Sequence, residues 1–457
     1  MHIFPPRIDI ADDEGFDPKK DIFNRAEFGR GLANLLGTVE DPMVIAVDGQ
    51  WGSGKTTFIK MWAGLLRQMG HPVIYFDAFA SDYIDDAFLA IAGEVVSLSQ
   101  KTKNATTSAH KKFLSRAARA GRAILRSGTK IGVKAATLGV LDAADLADLK
   151  SVANDIADEL GAKSDEYIKA LLTRHGDEQK NIEGFRKALS ELAMMLSAKL
   201  HASDQRDSDY CPLIFIVDEL DRCKPTFALD LLEKIKHVFS VSGVHFVLVT
   251  HLEQLENSVR FSYGHDIDAR TYLQKFYNLI IHLPGDGKYE HERDSRKFAQ
   301  YLQSHLRLEK DAFEFIDAVV QVRGLSLRSL EQILIYLSLA IAFTTSKTHT
   351  YFRPGPILGG LCVLKALEPS LFRKAKSGSL TFAEASETFR FSLWPDSTSR
   401  QWALKWWQYA LDEIDLKNQE WQEFATGLRY NNFRIDRGHI IRAVANDIID
   451  RMQIPQG

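Results

Sequence analysis

Residues 49–56 read Gly49-Gln50-Trp51-Gly52-Ser53-Gly54-Lys55-Thr56, a G-x-x-x-x-G-K-[ST] string in which glycines, lysine and hydroxyl each answer a demand of phosphate chemistry. The apolar run Val44 to Val47 predicts a buried parallel strand ahead of it. Phe58, Ile59, Met61, Trp62, Leu65 and Leu66 follow at helical spacing. Strand, glycine loop and helix together make a P-loop. There, backbone N–H groups from Gly52 to Thr56 are expected to wrap a β-phosphate at the helix N-terminus, where the dipole favours negative charge. Lys55 is expected to reach the β- and γ-phosphates and Thr56 to give its hydroxyl to magnesium. Gly49, Gln50, Trp51, Ser53 and Thr57 complete the expected nucleotide contacts. Glycine loops also close strand–helix turns that bind nothing, but such turns have no need of Lys-Thr at this offset.

The other half of such a site is a strand ending in a carboxylate, and residues 213–222, LIFIVDELDR, supply one. Ligands of open α/β sheets sit beyond the carboxyl ends of the strands. Asp218 is therefore expected to hold magnesium through water and Glu219 to polarise the attacking water, with Asp221 as the alternative base. The competing reading is that these acids only cap a helix beginning near Pro225.

VIAVDGQWGSGKTTF and IFIVDELDRCKP, with FDAFASDYIDDAF between them and YLQKFYNLIIHLP downstream, resemble the KAP family of P-loop NTPases over approximately residues 15 to 340. That family includes ankyrin-repeat membrane proteins of neurons and bacterial phage-exclusion proteins. The resemblance implies an α/β fold with a central, mainly parallel sheet flanked by helices and an additional strand between the P-loop and Walker B strands. It also implies ATP and Mg2+ as ligands, and it makes a role in bacterial anti-phage defence an expectation. Relatives often carry transmembrane helices between the two motifs, and this chain departs from that pattern. By the same resemblance, a helix beginning near Asp21 borders the adenine through Arg25 and Phe28. Thr250, or alternatively His251, senses the γ-phosphate from the end of VHFVLVTH. Arg270 faces a neighbouring subunit's site, and Arg328 acts as a second sensor at the head of a helical lid.

Composition is consistent with this class. The 457 residues are 45% hydrophobic and 26% charged with net charge −3, enough for several cores and without a global bias toward nucleic acid or anionic membrane. Cys211, Cys223 and Cys362 lack metal-ligand spacing, so a reducing cytoplasm is the expected compartment. The N-terminus does not read as a signal peptide, and no uncharged apolar run approaches the roughly 18 residues that span a bilayer. No N/T-K-x-D string favours GTP over ATP.

Residues 101–141 contain no acid. Lys112, Arg116, Arg119, Arg122 and Arg126 form one stripe of a predicted helix, with Phe113, Ala117, Ala120 and Ile124 opposite. Asp142 to Glu159 then supply an acidic stretch. The stripe is read as one side of a helical hairpin or partner interface, a peripheral membrane surface on the inner face, or a nucleic-acid contact.

The expected division is residues 1–100 for the first part of the ATPase core, 101–180 for a helical, basic-then-acidic insertion, 181–289 for the rest of the core, and 290–457 for an all-helical lid. The expected activity is Mg-dependent ATP hydrolysis driving a conformational or assembly switch, in a homo-oligomer or with a partner protein. The alternatives are a nucleotide-gated scaffold with little hydrolysis and a DNA-dependent ATPase using the basic insertion.

Overall fold

In a computed structural model of the chain, the structure describes residues 8–84, 86–101, 108–127, 164–201, 211–284, 288–306, 308–344, 354–412, 414–430 and 436–451. Five strands form one sheet: β1 (Val44–Asp48), β2 (Val73–Asp77), β3 (Leu213–Asp218), β4 (Val244–Thr250) and β5 (Leu279–His282). Their order is β2-β3-β4-β1-β5 and every pairing is parallel. All residues of β3 and β4 are buried, the reason they read as unbroken apolar runs rather than alternating ones. β4 lies between the P-loop strand and the Walker B strand, where the additional strand was expected.

The two faces of the sheet carry separate cores. Ile45, Val47, Ile214, Ile216, Val247 and Val249 pack against the helices Ala26–Thr38 and Lys55–Gln68. Phe215, Phe246 and Phe239 lead the opposite face. From Lys288 to Ile449 every described element is helical, with a third core around Phe315, Phe389, Trp406 and Trp407. The indole of Trp407 donates to the Pro356 carbonyl at 3.2 Å, so this large buried aromatic also has its polar atom satisfied.

One expectation is corrected and two others are refined. The helix predicted from Asp21 begins at Ala26, because both Asp21 carboxylate oxygens accept backbone N–H bonds, from Arg25 and from Ala26, each at 2.9 Å. That closes a capping turn in which Asn24 sits at φ 56°. Among the described residues one helix, Leu327–Thr344, is long and apolar enough to cross a bilayer, with mean hydropathy 1.3, although Arg328 and Glu331 keep it from being an uncharged run. Leu330, Ile333, Leu334 and Leu337 instead fill the helical core. Finally, the basic helix Ser108–Ser127 has a described partner other than the acidic stretch, the helix Ser164–His201. Phe113 and Phe185 pack ring to ring at 5.4 Å, Lys112 Nζ meets Glu191 at 2.6 Å, and the Arg116 guanidinium lies over Gly184. The side chains of Arg122 and Arg126, and the whole of Asp142 to Glu159, lie outside the described residues.

The P-loop helix is pressed against the N-terminal segment at Gly64. A Cβ there would fall 1.9 Å from the Glu14 carbonyl oxygen, whereas one at Gly31 would meet nothing within 4 Å. Gly64→Ala should therefore lower the urea midpoint by an amount equivalent to about 1–3 kcal/mol. Gly31→Ala, in the helix Ala26–Thr38, should raise stability by about 0.5–1 kcal/mol. Equal effects of the two substitutions would contradict this packing.

Candidate nucleotide site

β1 ends at Asp48 and the chain turns through residues 49–54 into the helix Lys55–Gln68. Gly52 and Gly54 sit at φ 78° and 82°, left-handed conformations in which a side chain is strained. At Gly52 a Cβ would also come within 2.9 Å of the Arg328 Cβ. The glycines of the motif are thus required by turn geometry and by close approach at once. Lys55 is folded onto its own loop, donating to the Gly49 carbonyl and to that of Gln50 at 3.1 Å.

The parallel register sets Asp77 beside Asp218 and Asp48 beside Thr250, so the carboxyl ends of four strands converge on the P-loop. Asp218 is buried and accepts hydrogen bonds from the Tyr75 hydroxyl at 2.7 Å and the Glu219 backbone N–H at 2.9 Å, with Thr56 lining the same chamber. Burial pushes its pKa up, and the bonds from Tyr75 and Glu219 oppose the shift. The Thr56 hydroxyl and the Asp218 carboxylate thus line one chamber at the mouth of the loop. A hydroxyl and a carboxylate make a hard, oxygen-only donor set that fits a magnesium ion which keeps several of its waters.

Glu219 is at φ 59°, costly for a non-glycine residue. This left-handed step ends β3 and starts a single turn, Leu220–Arg222. The turn brings the Arg222 guanidinium to 2.7 Å from Glu219 Oε1. Burial raises the Glu219 carboxyl, Arg222 lowers it, and Asp218, Asp77 and Asp221 raise it further. Asp221 accepts the indole N–H of Trp51, whose ring stands edge-on to His251 at 5.9 Å. Neither acid caps the following helix, Pro225–Lys234, whose preceding residue is Lys224 without a side-chain cap. The Cys223 thiol is buried and its pKa is pushed up, first by burial and then by the surrounding carboxylates, leaving it a poor nucleophile.

Two connected cavities meet at the loop. One, of about 160 Å³, is lined by Gln50, Trp51, Lys55, Thr56, Asp218 and Glu219 among others. The other, of about 610 Å³, has apolar and aromatic walls including Ile10, Phe23, Phe298 and Tyr301. They share Gly52, Gly54, Thr56, Thr57 and Arg222. A small polar chamber opening into a larger apolar cleft has the shape a nucleotide needs, phosphates in one part and base in the other.

Several sequence-predicted residues are placed differently within this frame. Arg25 lines the larger cleft, and its buried guanidinium spans the Ser53 carbonyl at 3.1 Å and Asp294 of the helical region at 3.2 Å. Phe28 packs on Phe58 with ring centroids 5.6 Å apart. Thr250 is fully buried and its hydroxyl has no partner among the described residues, and the same is true of the Ser53 hydroxyl. A buried hydroxyl without a partner is uncommon, and these two lie at the end of β4 and in the loop itself. Arg328 lines the larger cleft, and the Leu327 N–H before it donates to the Gly52 carbonyl at 3.2 Å. Arg270 is exposed on the short helix Ala269–Gln274 and lines neither cavity.

Tyr75, Arg222 and Asp294 are the site residues that sequence reasoning did not single out. Only Tyr75 carried a signal, lying two residues before Asp77 and hence on the same face of β2.

A parallel sheet in this order, with a glycine loop and a carboxylate strand meeting at its carboxyl edge, defines a P-loop NTPase of the additional-strand class. The chain matches the KAP family P-loop domain over residues 25–339, well over half its length, and it belongs to that family. No curated protein matches it. Among solved structures, the ORC2 protein of Aeropyrum pernix aligns in two states. Its ADPNP–ADP complexes match at 12% identity and TM-score 0.35, covering 95% of this chain and 98% of that one. Its ADP form matches at 12% identity and TM-score 0.35, covering 98% and 96%. A likeness this loose carries no argument about function.

Lys55→Ala should weaken nucleotide binding by roughly 10–100-fold, the worth of a charge-assisted phosphate contact. It should leave the unfolding midpoint nearly unchanged, because the side chain donates to carbonyls of its own loop rather than filling the core. Calorimetric titration beside a melting curve checks both, and normal binding by the variant would rule out the loop as the phosphate site.

Proposed function

We propose that the chain binds ATP with magnesium between the P-loop and the end of β3 and hydrolyses it to drive a conformational or assembly change. The observation that carries this reading is the convergence of Thr56, Asp218, Lys55 and Glu219 on one chamber between the P-loop and the end of β3. Thr56 and Asp218 would hold the ion, which would supply charge neutralisation at the phosphates. Lys55 leaves its loop carbonyls for the β- and γ-phosphates. Glu219 orients and deprotonates the attacking water. Thr250, with its partnerless hydroxyl, reads the γ-phosphate, and Arg328 approaches it from the helical side. The aromatic cleft takes the base by stacking, consistent with adenine, and Arg25 supports the loop from beneath.

Both acids are engaged, Glu219 by the Arg222 guanidinium and Asp221 by the Trp51 indole, and Glu219 is preferred as base because it directly follows Asp218 at the end of β3. Glu219→Gln should bind ATP at least as tightly as the parent protein while losing hydrolysis, since an amide cannot accept the proton. Asp221→Asn should keep measurable turnover. Phosphate release at saturating ATP distinguishes them, and the reverse pattern would make Asp221 the base.

The exposed position of Arg270 suits a guanidinium offered to the nucleotide of a second subunit, where it would neutralise transition-state charge. If so, mixing Arg270→Ala with Lys55→Ala protein should restore activity at mixed interfaces. Absence of recovery in a preparation shown to contain mixed oligomers would reject action in trans.

A second reading, a nucleotide-gated scaffold with little hydrolysis, is favoured by the ion pair that occupies Glu219. The basic helix supports partner docking more than DNA or membrane contact, because Lys112 and Arg116 are already turned to the neighbouring helix. A role in anti-phage defence rests on the resemblance to phage-exclusion proteins, and loss of phage resistance with Lys55→Ala would test it.

A further inference from the structure

Arg222 stands where the two cavities join and lines both. Its side chain is 41% exposed, so it is free to swing, whereas the Glu219 side chain it holds is only 19% exposed. Among the described lining residues of the phosphate chamber, three carboxylates, Asp218, Glu219 and Asp221, face two cations, Lys55 and Arg222. An incoming polyphosphate therefore enters a chamber with an acidic excess, and it competes with Glu219 for Arg222.

The three-residue spacing makes this competition unavoidable. The left-handed step at Glu219 folds the chain back within one turn, so the guanidinium and the carboxylate cannot separate far along the backbone. They can part only by rotation of the Arg222 side chain. A diphosphate held by the loop ends at the β-phosphate, beside Lys55 and Thr56. A triphosphate extends one group further, toward the Walker B turn, and offers Arg222 an anion as strong as the one it leaves.

Resting on the reading of this chamber as the triphosphate site, we infer that Arg222 distinguishes tri- from diphosphate: it clamps Glu219 until a γ-phosphate draws the guanidinium away and releases the carboxylate to the attacking water. Arg222 is thereby a specificity residue toward the nucleotide and a positioning residue toward Glu219. Binding of a triphosphate and unlocking of the base become one event, and the product state restores the clamp.

The test is calorimetric titration of the full chain with Mg·AMP-PNP and with Mg·ADP, in four proteins: the parent, Arg222→Ala, Glu219→Gln and the double variant. Arg222→Ala should lose about tenfold in affinity for AMP-PNP, with ADP changed by less than about twofold, a coupling of ordinary size. Glu219→Gln, which frees the guanidinium, should tighten AMP-PNP by about tenfold when Arg222 is present and not when it is absent. An equal loss for both nucleotides in Arg222→Ala, or no loss for either, would overturn the inference. So would tightening by Glu219→Gln that survives removal of Arg222. A parent protein that binds neither nucleotide would instead overturn the site assignment itself, so the two failures are separable.

Discussion

The close approach at Gly52 is the constraint on which the rest of the architecture depends. Its φ of 78° turns the phosphate loop, its missing side chain admits the Arg328 Cβ, and its carbonyl takes the first N–H of the helix Leu327–Thr344. One residue thus shapes the anion cradle and docks the helical region onto it. The helix that arrives there is the most apolar long helix described, and its hydrophobic length is absorbed by the third core. Its amino end is tied down by the Leu327 N–H on Gly52 and the Ser329 N–H on the Ser326 hydroxyl, so it sits fixed against the loop.

Around that contact the catalytic edge is held by hydrogen bonds that no local pattern announces. Tyr75 reaches Asp218 across β2 and β3, Trp51 ties the loop to Asp221, and Arg25 runs from Ser53 to Asp294. Each joins segments far apart in the chain. The carboxylate proposed as base and the one proposed as metal ligand are held by different partners, so their environments diverge although they are neighbours in sequence. That separation of roles is typical of sites that run acid–base chemistry near neutrality.

The sheet and the loop were legible because buried parallel strands are written as continuous apolar runs, and because the phosphate cradle leaves little freedom in its residues. The helix start near Asp21 was misread since Asp21 caps through both oxygens a turn ahead of the helix. The span-length helix was missed because Arg328 and Glu331 interrupt its apolar run near the start. Arg222 was illegible for a different reason. An arginine after a carboxylate-rich strand end looks like any surface cation until the left-handed step at Glu219 folds it back. Asp294, paired with Arg25 across most of the core, has no signal in a single sequence.

Arg25 and Gly52 also constrain how the helical region can move. Its hydrogen-bonded ties to the loop end at Ser53, reached from Asp294 through Arg25, and at Gly52, consecutive residues of one turn. Two attachments so close together act as a pivot, and motion that preserves them is rotation about that point rather than lateral sliding. Displacement grows with distance from a pivot. A fraction of an ångström at the loop becomes a sweep of the distant tryptophan-rich helix Thr398–Leu411, with the rigid helical core as the lever arm.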